Sequence, residues 1–289
     1  MIGLYALQMP ELPEVETVRR GLEPALTGRR FKAVKLARPD LRFPFPERFV
    51  ERLEGTRVER LGRRAKFLMA ELSTGETLTM HLGMTGRFTI SGEGFEVFAH
   101  SVSPAPQHDH VTFSMQGGIE IIFNDPRRFG FMELFAQGEA ETSARFSELG
   151  PEPLSNAFSA ISLTDAIKGK KSPIKTVLLD QRIVAGLGNI YVCEALFRAG
   201  IAPTTRAGDI SAKRLERLTA HIKDVLQEAV DAGGSSISDF ASTSGALGYF
   251  QHNFLVYGRE NKPCSVCGAA ILRIPQSGRS TFYCGVCQS

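Results

Sequence analysis

Between residues 10 and 22, Leu12, Val15, Val18 and Leu22 recur at steps of three or four. That spacing puts them on one face of an amphipathic helix, and Pro13 falls where a first turn tolerates it. From residue 31 to 135 the rhythm becomes short apolar runs and alternations. Strands are predicted over 65–72, 77–81, 87–90, 111–115, 119–124 and 131–135, with Gly75 and Gln116-Gly117-Gly118 as turns. Short strands at this density predict a β-sandwich. Residues 91–106 carry Gly and Pro without periodicity and read as a loop.

The pattern changes again around Leu149-Gly150-Pro151-Glu152-Pro153. Downstream, helices are predicted over 162–167, 174–181, 190–199 and 211–231. The last carries Leu215, Leu218, Ile222, Val225 and Ala229 on one stripe, which reads as core, and Gly233-Gly234 ends it. Residues 235–248 are rich in Ser and Gly. The chain thus reads as a two-domain α+β protein: an extension over 1–9, an N-terminal helix and β-sandwich over 10–145, a helical domain over 150–250 and a terminal hairpin over 251–289. A cleft between two such halves is the default place for an active site.

Composition sharpens this only in places. The 289 residues suffice for two cores. The net charge of +3 does not by itself imply a nucleic-acid partner. Basic residues do cluster: Arg57, Arg60, Arg63, Arg64 and Lys66 against Glu59, then Lys168, Lys170, Lys171 and Lys175, and four basic residues against Glu260 from Val256 onward. Each run taken alone reads more readily as a solvated face. No stretch is long and apolar enough to span a membrane, and Met1–Gln8 lacks the basic start and cleavage signal of a secretory leader, so a cytoplasmic protein is expected. Cys264-x2-Cys267 and Cys284-x2-Cys287, with sixteen residues between the pairs, have the spacing of a structural zinc site. The fifth cysteine, Cys193, sits in an apolar run and reads as a core thiol.

The segment Met9-Pro10-Glu11-Leu12-Pro13-Glu14-Val15-Glu16-Thr17 is the sharpest motif. Translation from Met9 and loss of that methionine would leave Pro10 with an amine able to condense with a sugar carbon, beside Glu11 as an acid or base. Taken alone, the acids read as favourable charges at a helix N-terminus. This segment is followed by Arg63-Arg64-Ala65-Lys66, His81-Leu82-Gly83-Met84, Asp125-Pro126-Arg127-Arg128-Phe129-Gly130, Gly186-Leu187-Gly188-Asn189-Ile190-Tyr191 and the four cysteines. In that order, from Met9 to Cys287, the chain resembles the formamidopyrimidine-DNA glycosylase family of bacteria.

The resemblance implies a helix-two-turn-helix in the helical domain and a zinc-finger hairpin at the end. It implies a glycosylase and abasic-site lyase that removes 8-oxoguanine and formamidopyrimidines from double-stranded DNA, acting as a monomer. Pro10 would be the nucleophile, Glu11 the acid at the sugar ring oxygen, Lys66 a strand-borne lysine at the lesion phosphate and Glu14 a supporting carboxylate. Met84, Arg127 and Phe129 would fill the void left by an everted nucleotide. Asn189, Lys175, Tyr257 and Arg279 would contact the DNA backbone, and one Zn2+ would bind Cys264, Cys267, Cys284 and Cys287.

Two features depart from the family pattern. Residues 1–8 precede the motif, and if retained they make the Pro10 nitrogen an amide. Ala246-Leu247 stands where many relatives carry Lys-Pro in the loop over the everted base. The competing readings are the sister enzyme endonuclease VIII, acting on oxidised pyrimidines, and a catalytically silent DNA-binding protein. Leu12 after Pro-Glu and Phe129 favour the purine enzyme over the first. Pro10, Glu11 and Lys66 speak against the second.

Overall fold

The computed structural model describes residues 9–95, 105–235 and 250–289. It divides into two compact units, one of Met1–Ser147 with Gly233–Tyr249, the other of Glu148–Ala232 with Phe250–Ser289.

The first unit opens with α1 (Leu12–Leu26). Glu11 is its extended N-cap, and the Glu11 amide donates to Glu14 Oε2 at 3.0 Å, one half of a capping box. The helix continues past the predicted residue 22, through Pro24, and its last turn buries Ala25 and Leu26. Removing a leucine or valine side chain from water contributes roughly 1.5–3 kcal/mol, comparable with the roughly 3 kcal/mol that a proline costs inside a helix.

Among the described residues, eight strands follow in two antiparallel four-stranded sheets. They are β1 (Phe31–Leu36), β2 (Val58–Arg64), β3 (Phe67–Leu72), β4 (Thr77–His81), β5 (Arg87–Ser91), β6 (Asp109–Met115), β7 (Ile119–Asn124) and β8 (Phe131–Phe135). One sheet has the order β1-β6-β7-β5 and the other β2-β3-β4-β8. A single cluster of buried side chains takes Val15, Val18 and Leu22 from α1, Phe113 and Phe123 from one sheet, and Leu68 and Met80 from the other. The predicted sandwich is therefore present, with α1 packed into its core.

Two strands escape the sequence reading, and both contain register shifts. In β1 the pairing slips between Phe31 and Ala33, and in β2 between Val58 and Arg60. The buried residues accordingly fall three apart, Phe31 with Val34 and Val58 with Leu61. A bulge removes the period of two that reveals a strand. A short helix, α2 (Phe49–Leu53), also lies inside the β-rich half. Residues 65 and 66, expected to begin a strand, are instead the two-residue turn between β2 and β3. Most of the predicted loop 91–106, and all but the first residue of the Ser/Gly-rich stretch 235–248, lie outside the described residues.

After the short helix α3 (Glu139–Thr142), the second unit contains α4 (Ala160–Ile167), α5 (Ile174–Leu178), α6 (Asn189–Arg198) and α7 (Ala212–Asp231). The stripe Leu215, Leu218, Ile222, Val225 and Ala229 on α7 is buried, as its spacing predicts. The hairpin of β9 (Leu272–Gln276) and β10 (Arg279–Tyr283) closes the chain. Its turn is Ser277-Gly278, both with positive φ (50° and 73°), the conformation that matches hairpin twist. No helix among the described residues is long and apolar enough to cross a membrane.

Candidate active site

In the first unit, Pro10 is buried just ahead of α1. Glu11 and Glu14 are 2% and 3% exposed, an unusual state for acids. Glu14 Oε1 accepts both the amide and the hydroxyl of Ser235, at 2.9 and 2.8 Å. Glu14 therefore fixes the start of α1 from two directions, through the Glu11 amide and through the returning chain.

Lys66 is 7% exposed and follows Ala65, whose φ is +51°. A non-glycine residue in the left-handed region costs on the order of 1 kcal/mol or more. Arg63 helps hold it: Nη1 donates to the Ala65 carbonyl at 2.7 Å while Nε donates to Glu16 Oε2 on α1 at 3.2 Å. The Lys66 turn is thus tied to the helix that follows Pro10. Other basic residues of this run pair along the surface, Arg57 with Glu59 and Arg60 with Glu71. The charge excess visible in the sequence is largely neutralised locally.

His81 ends β4 and stacks on Phe131 with ring centres 5.0 Å apart. Burial, with the positive charges of Lys66, Arg42 and Arg145, pushes its pKa down to about 3. The neutral ring can therefore accept the Gly83 amide on Nδ1, at 3.0 Å. Met84 follows in the half-buried turn after β4, and Arg127 and Phe129 lie on the loop after β7. The Arg127 guanidinium sits 4.7 Å from the centre of the Phe129 ring, which is 40% exposed. An exposed phenyl held under a guanidinium presents a flat apolar face and a hydrogen-bonding fork together.

In the second unit, Asn189 is the first residue of α6, after the extended Gly188. Its Nδ2 donates to the Ser280 carbonyl at 3.0 Å. Lys175 is 1% exposed, and its ammonium donates to Thr281 Oγ1 at 2.6 Å and to the same Ser280 carbonyl at 3.3 Å. Lys175 and Asn189 thus meet on β10 beside Arg279, which is exposed. Tyr257 is largely buried, its ring 4.8 Å from that of Phe282. The sequence offered no sign of Glu194, a fully buried residue of α6. Its carboxylate accepts the amides of Leu255, Val256 and Tyr257 at 2.9, 3.0 and 2.8 Å. Burial nonetheless raises its pKa, against the pull of those amides and of Arg198. Only an acid inside an otherwise apolar helical run could have flagged it.

The sulfurs of Cys264, Cys267, Cys284 and Cys287 all lie within 4.8 Å of one another. Two of the separations are 3.9 Å (Cys264–Cys287) and 3.5 Å (Cys267–Cys284). Tetrahedral zinc with Zn–S bonds of about 2.3 Å separates its sulfurs by about 3.8 Å. Four thiolates at this spacing fit one structural Zn2+. Cys193 is buried away from this set, as its apolar context predicts.

A β-sandwich unit followed by a helical unit that ends in a four-cysteine hairpin is the architecture of the zinc-finger DNA glycosylases that the family models match. Family models agree segment by segment. The formamidopyrimidine-DNA glycosylase N-terminal domain matches residues 9–132, its H2TH domain matches 149–241, and the zinc finger found in FPG and IleRS matches 261–289. A formamidopyrimidine-DNA glycosylase of Ruegeria pomeroyi is 57% identical over 97% of this chain and all of its own length. One of Caulobacter vibrioides is 56% identical over the same shares. Among solved structures, the MutM (Fpg) protein of Thermus thermophilus is 38% identical, covering 96% of this chain and 98% of that one, with a TM-score of 0.84. A Lactococcus lactis Fpg variant in complex with DNA containing Fapy-dG is 34% identical, covering 96% and 99%, with a TM-score of 0.87. The chain belongs to the formamidopyrimidine-DNA glycosylase family, enzymes of base excision repair that act on damaged DNA.

Proposed function

We propose that this enzyme removes oxidised purines, 8-oxoguanine and formamidopyrimidines, and then cuts the strand at the resulting abasic site through an imine formed by Pro10. The observation that carries the reading is the N-terminus of α1, where Pro10 precedes two buried acids held in one hydrogen-bonded frame. The Pro10 nitrogen lone pair forms a bond to the sugar C1′ while the bond from C1′ to the base breaks. The base leaves with that electron pair and takes up the proton that the Pro10 nitrogen loses. Glu11 protonates the ring oxygen, the sugar opens, and an iminium joins protein to DNA. That iminium acidifies the adjacent C2′ proton, and β- then δ-elimination releases the two phosphates flanking the sugar. Glu14 keeps Glu11 in place, and Lys66 binds the lesion phosphate.

Met84, Arg127 and Phe129 occupy the void, Phe129 against the neighbouring base pair and Arg127 on the orphaned base. Arg279, exposed on the hairpin, binds the DNA backbone in the second unit. Asn189, Lys175 and Tyr257, which the resemblance assigns to the same set, are buried. Asn189 and Lys175 both bond the carbonyl next to Arg279 and so position it. The enzyme acts as a monomer. Its lesion preference also depends on Ala246-Leu247, which lie outside the described residues.

This chemistry requires an amine, because a peptide bond delocalises the nitrogen lone pair. Either a start at Met9 with loss of that methionine or removal of residues 1–9 supplies that amine, and the N-terminal family match begins at residue 9. Borohydride trapping on DNA containing 8-oxoguanine tests the reading. Protein beginning at Pro10 is expected to give a covalent complex, and protein retaining residues 1–9 is not. Equal trapping by both would remove Pro10 as nucleophile and point to Lys66.

A further inference from the structure

Asp125 is completely buried, yet among the described residues it forms no ion pair. A carboxylate out of water is costly unless its lone pairs are filled. Here they are filled by two loops. Gly130 N–H donates to Oδ2 at 2.8 Å, while Arg127 N–H (3.3 Å) and the Thr85 hydroxyl, in a short bond, donate to Oδ1. Thr85 Oγ1 also accepts the Arg127 amide at 3.3 Å. Thr85 directly follows Met84, so one buried carboxylate joins the Met84 turn to the loop carrying Arg127 and Phe129. The main chain of Asp125 is equally occupied: its amide donates to the His108 carbonyl at 3.0 Å, and its carbonyl accepts the Arg128 amide at 3.2 Å and His110 Nε2 at 2.9 Å.

A second observation points the same way. Gly83 has φ +63°, and a Cβ there would lie 2.3 Å from the Phe129 carbonyl carbon and 2.4 Å from the Gly130 nitrogen. The two turns touch backbone to backbone, while His81 accepts the Gly83 amide from the other side.

We propose that Asp125, acting through Thr85, is the positioning residue that locks Met84, Arg127 and Phe129 into one rigid wedge and thereby sets the enzyme's preference for the base opposite the lesion. This rests on the reading of those three residues as void-fillers. A guanidinium discriminates bases only if its fork is held in plane and register. The Arg127 main chain takes its position from the Asp125–Thr85 pair. Asparagine cannot replace Asp125, because in either orientation its NH2 would face a backbone N–H donor, that of Gly130 or that of Arg127.

The test compares Asp125→Asn, Thr85→Val, Thr85→Ser and Arg127→Ala in otherwise intact enzyme with its zinc. The readout is the ratio of single-turnover excision of 8-oxoguanine opposite dC to that opposite dA. Rates are normalised to trapping on single-stranded abasic DNA, where no void exists. Asp125→Asn and Thr85→Val are expected to shrink the ratio about tenfold, in the direction of Arg127→Ala. Thr85→Ser should restore it, and Asp125→Asn combined with Arg127→Ala should add little to either alone. If Asp125→Asn does not fold, Thr85→Val decides. A wild-type ratio in the folded Asp125 and Thr85 variants beside a collapsed ratio in Arg127→Ala overturns this inference alone. A wild-type ratio in Arg127→Ala overturns the void-filling reading and takes the inference with it.

Discussion

The two units hold their polar groups by different means. In the first, a large apolar cluster closes α1 and both sheets, and two segments are pinned by buried carboxylates, the start of α1 by Glu14 and the loop after β7 by Asp125. In the second, the terminal hairpin has little core of its own: Leu272, Val266 and Val286 are exposed. It is anchored by single polar bonds instead. Lys175 reaches Thr281, Gln288 Nε2 donates to the Ile201 carbonyl at 2.8 Å, and Gln276 Nε2 donates to the Pro203 carbonyl at 3.1 Å. A large core tolerates the loss of one contact because the loss is shared among many. A hairpin held by a metal and a few directed bonds does not.

The largest effect should therefore come from the metal. Metal binding to small zinc modules supplies roughly 10–16 kcal/mol of apparent folding free energy. Cys267→Ser is expected to abolish zinc content and most DNA affinity, with hydrogen exchange accelerated in β9 and β10 but unchanged in β3 and β4. Uniform loss of protection in both units would break the contrast between them.

Acid should separate the units as well, with opposite signs. His81 has a folded pKa of about 3 against 6.5 unfolded, so its contribution is complete above pH 6.5 and is lost as pH falls from there toward 3. The slope approaches about 1.4 kcal/mol per pH unit. Glu194 has a pKa raised above 4.5, so its contribution is complete below pH 4.5 and is lost as pH rises through the folded value. His81→Phe, which keeps an aromatic ring on Phe131, should flatten the acid loss of stability in the first unit. Glu194→Gln should flatten the opposite trend in the second while costing roughly 1–3 kcal/mol, because an amide NH2 then confronts backbone N–H donors. Residue-resolved exchange between pH 4 and 7 reads both. Matching trends in the two units would contradict the assignment.

The smallest effect concerns Arg279, exposed at the hairpin turn. Arg279→Ala should flatten the log–log salt dependence of binding to lesion-free duplex by about one unit without altering thermal stability. An unchanged slope would place this arginine off the DNA.

Much of this architecture is legible in the chain before any coordinates. The α7 stripe, the strands at 77–81, 119–124 and 131–135, the glycine turns and the four-cysteine spacing are local patterns, and each is realised where its period or spacing predicts. The strands β1 and β2 were not legible, because a bulge in each shifts buried residues from every second to every third position. Lys66 is singled out by its motif but not as part of a turn, since alanine carries no mark of the positive φ that a two-residue hairpin turn demands. Arg63, itself directed by Glu16 on α1, helps hold that turn.

Residue identity and spacing specify which side chains carry charge, sulfur and apolar surface, and hence most of the elements and the four zinc-ligating cysteines. How buried polar groups are shared emerges only in the folded molecule. Lys175 looked like a surface lysine and became a buried tie to Thr281, and Asp125 became the junction of two loops forty residues apart. The physical reason is that helix and strand periodicities are set by neighbours along the chain. A buried carboxylate or ammonium is instead satisfied by whichever donors and acceptors the fold brings to it, and their sequence distance leaves no trace in a local pattern.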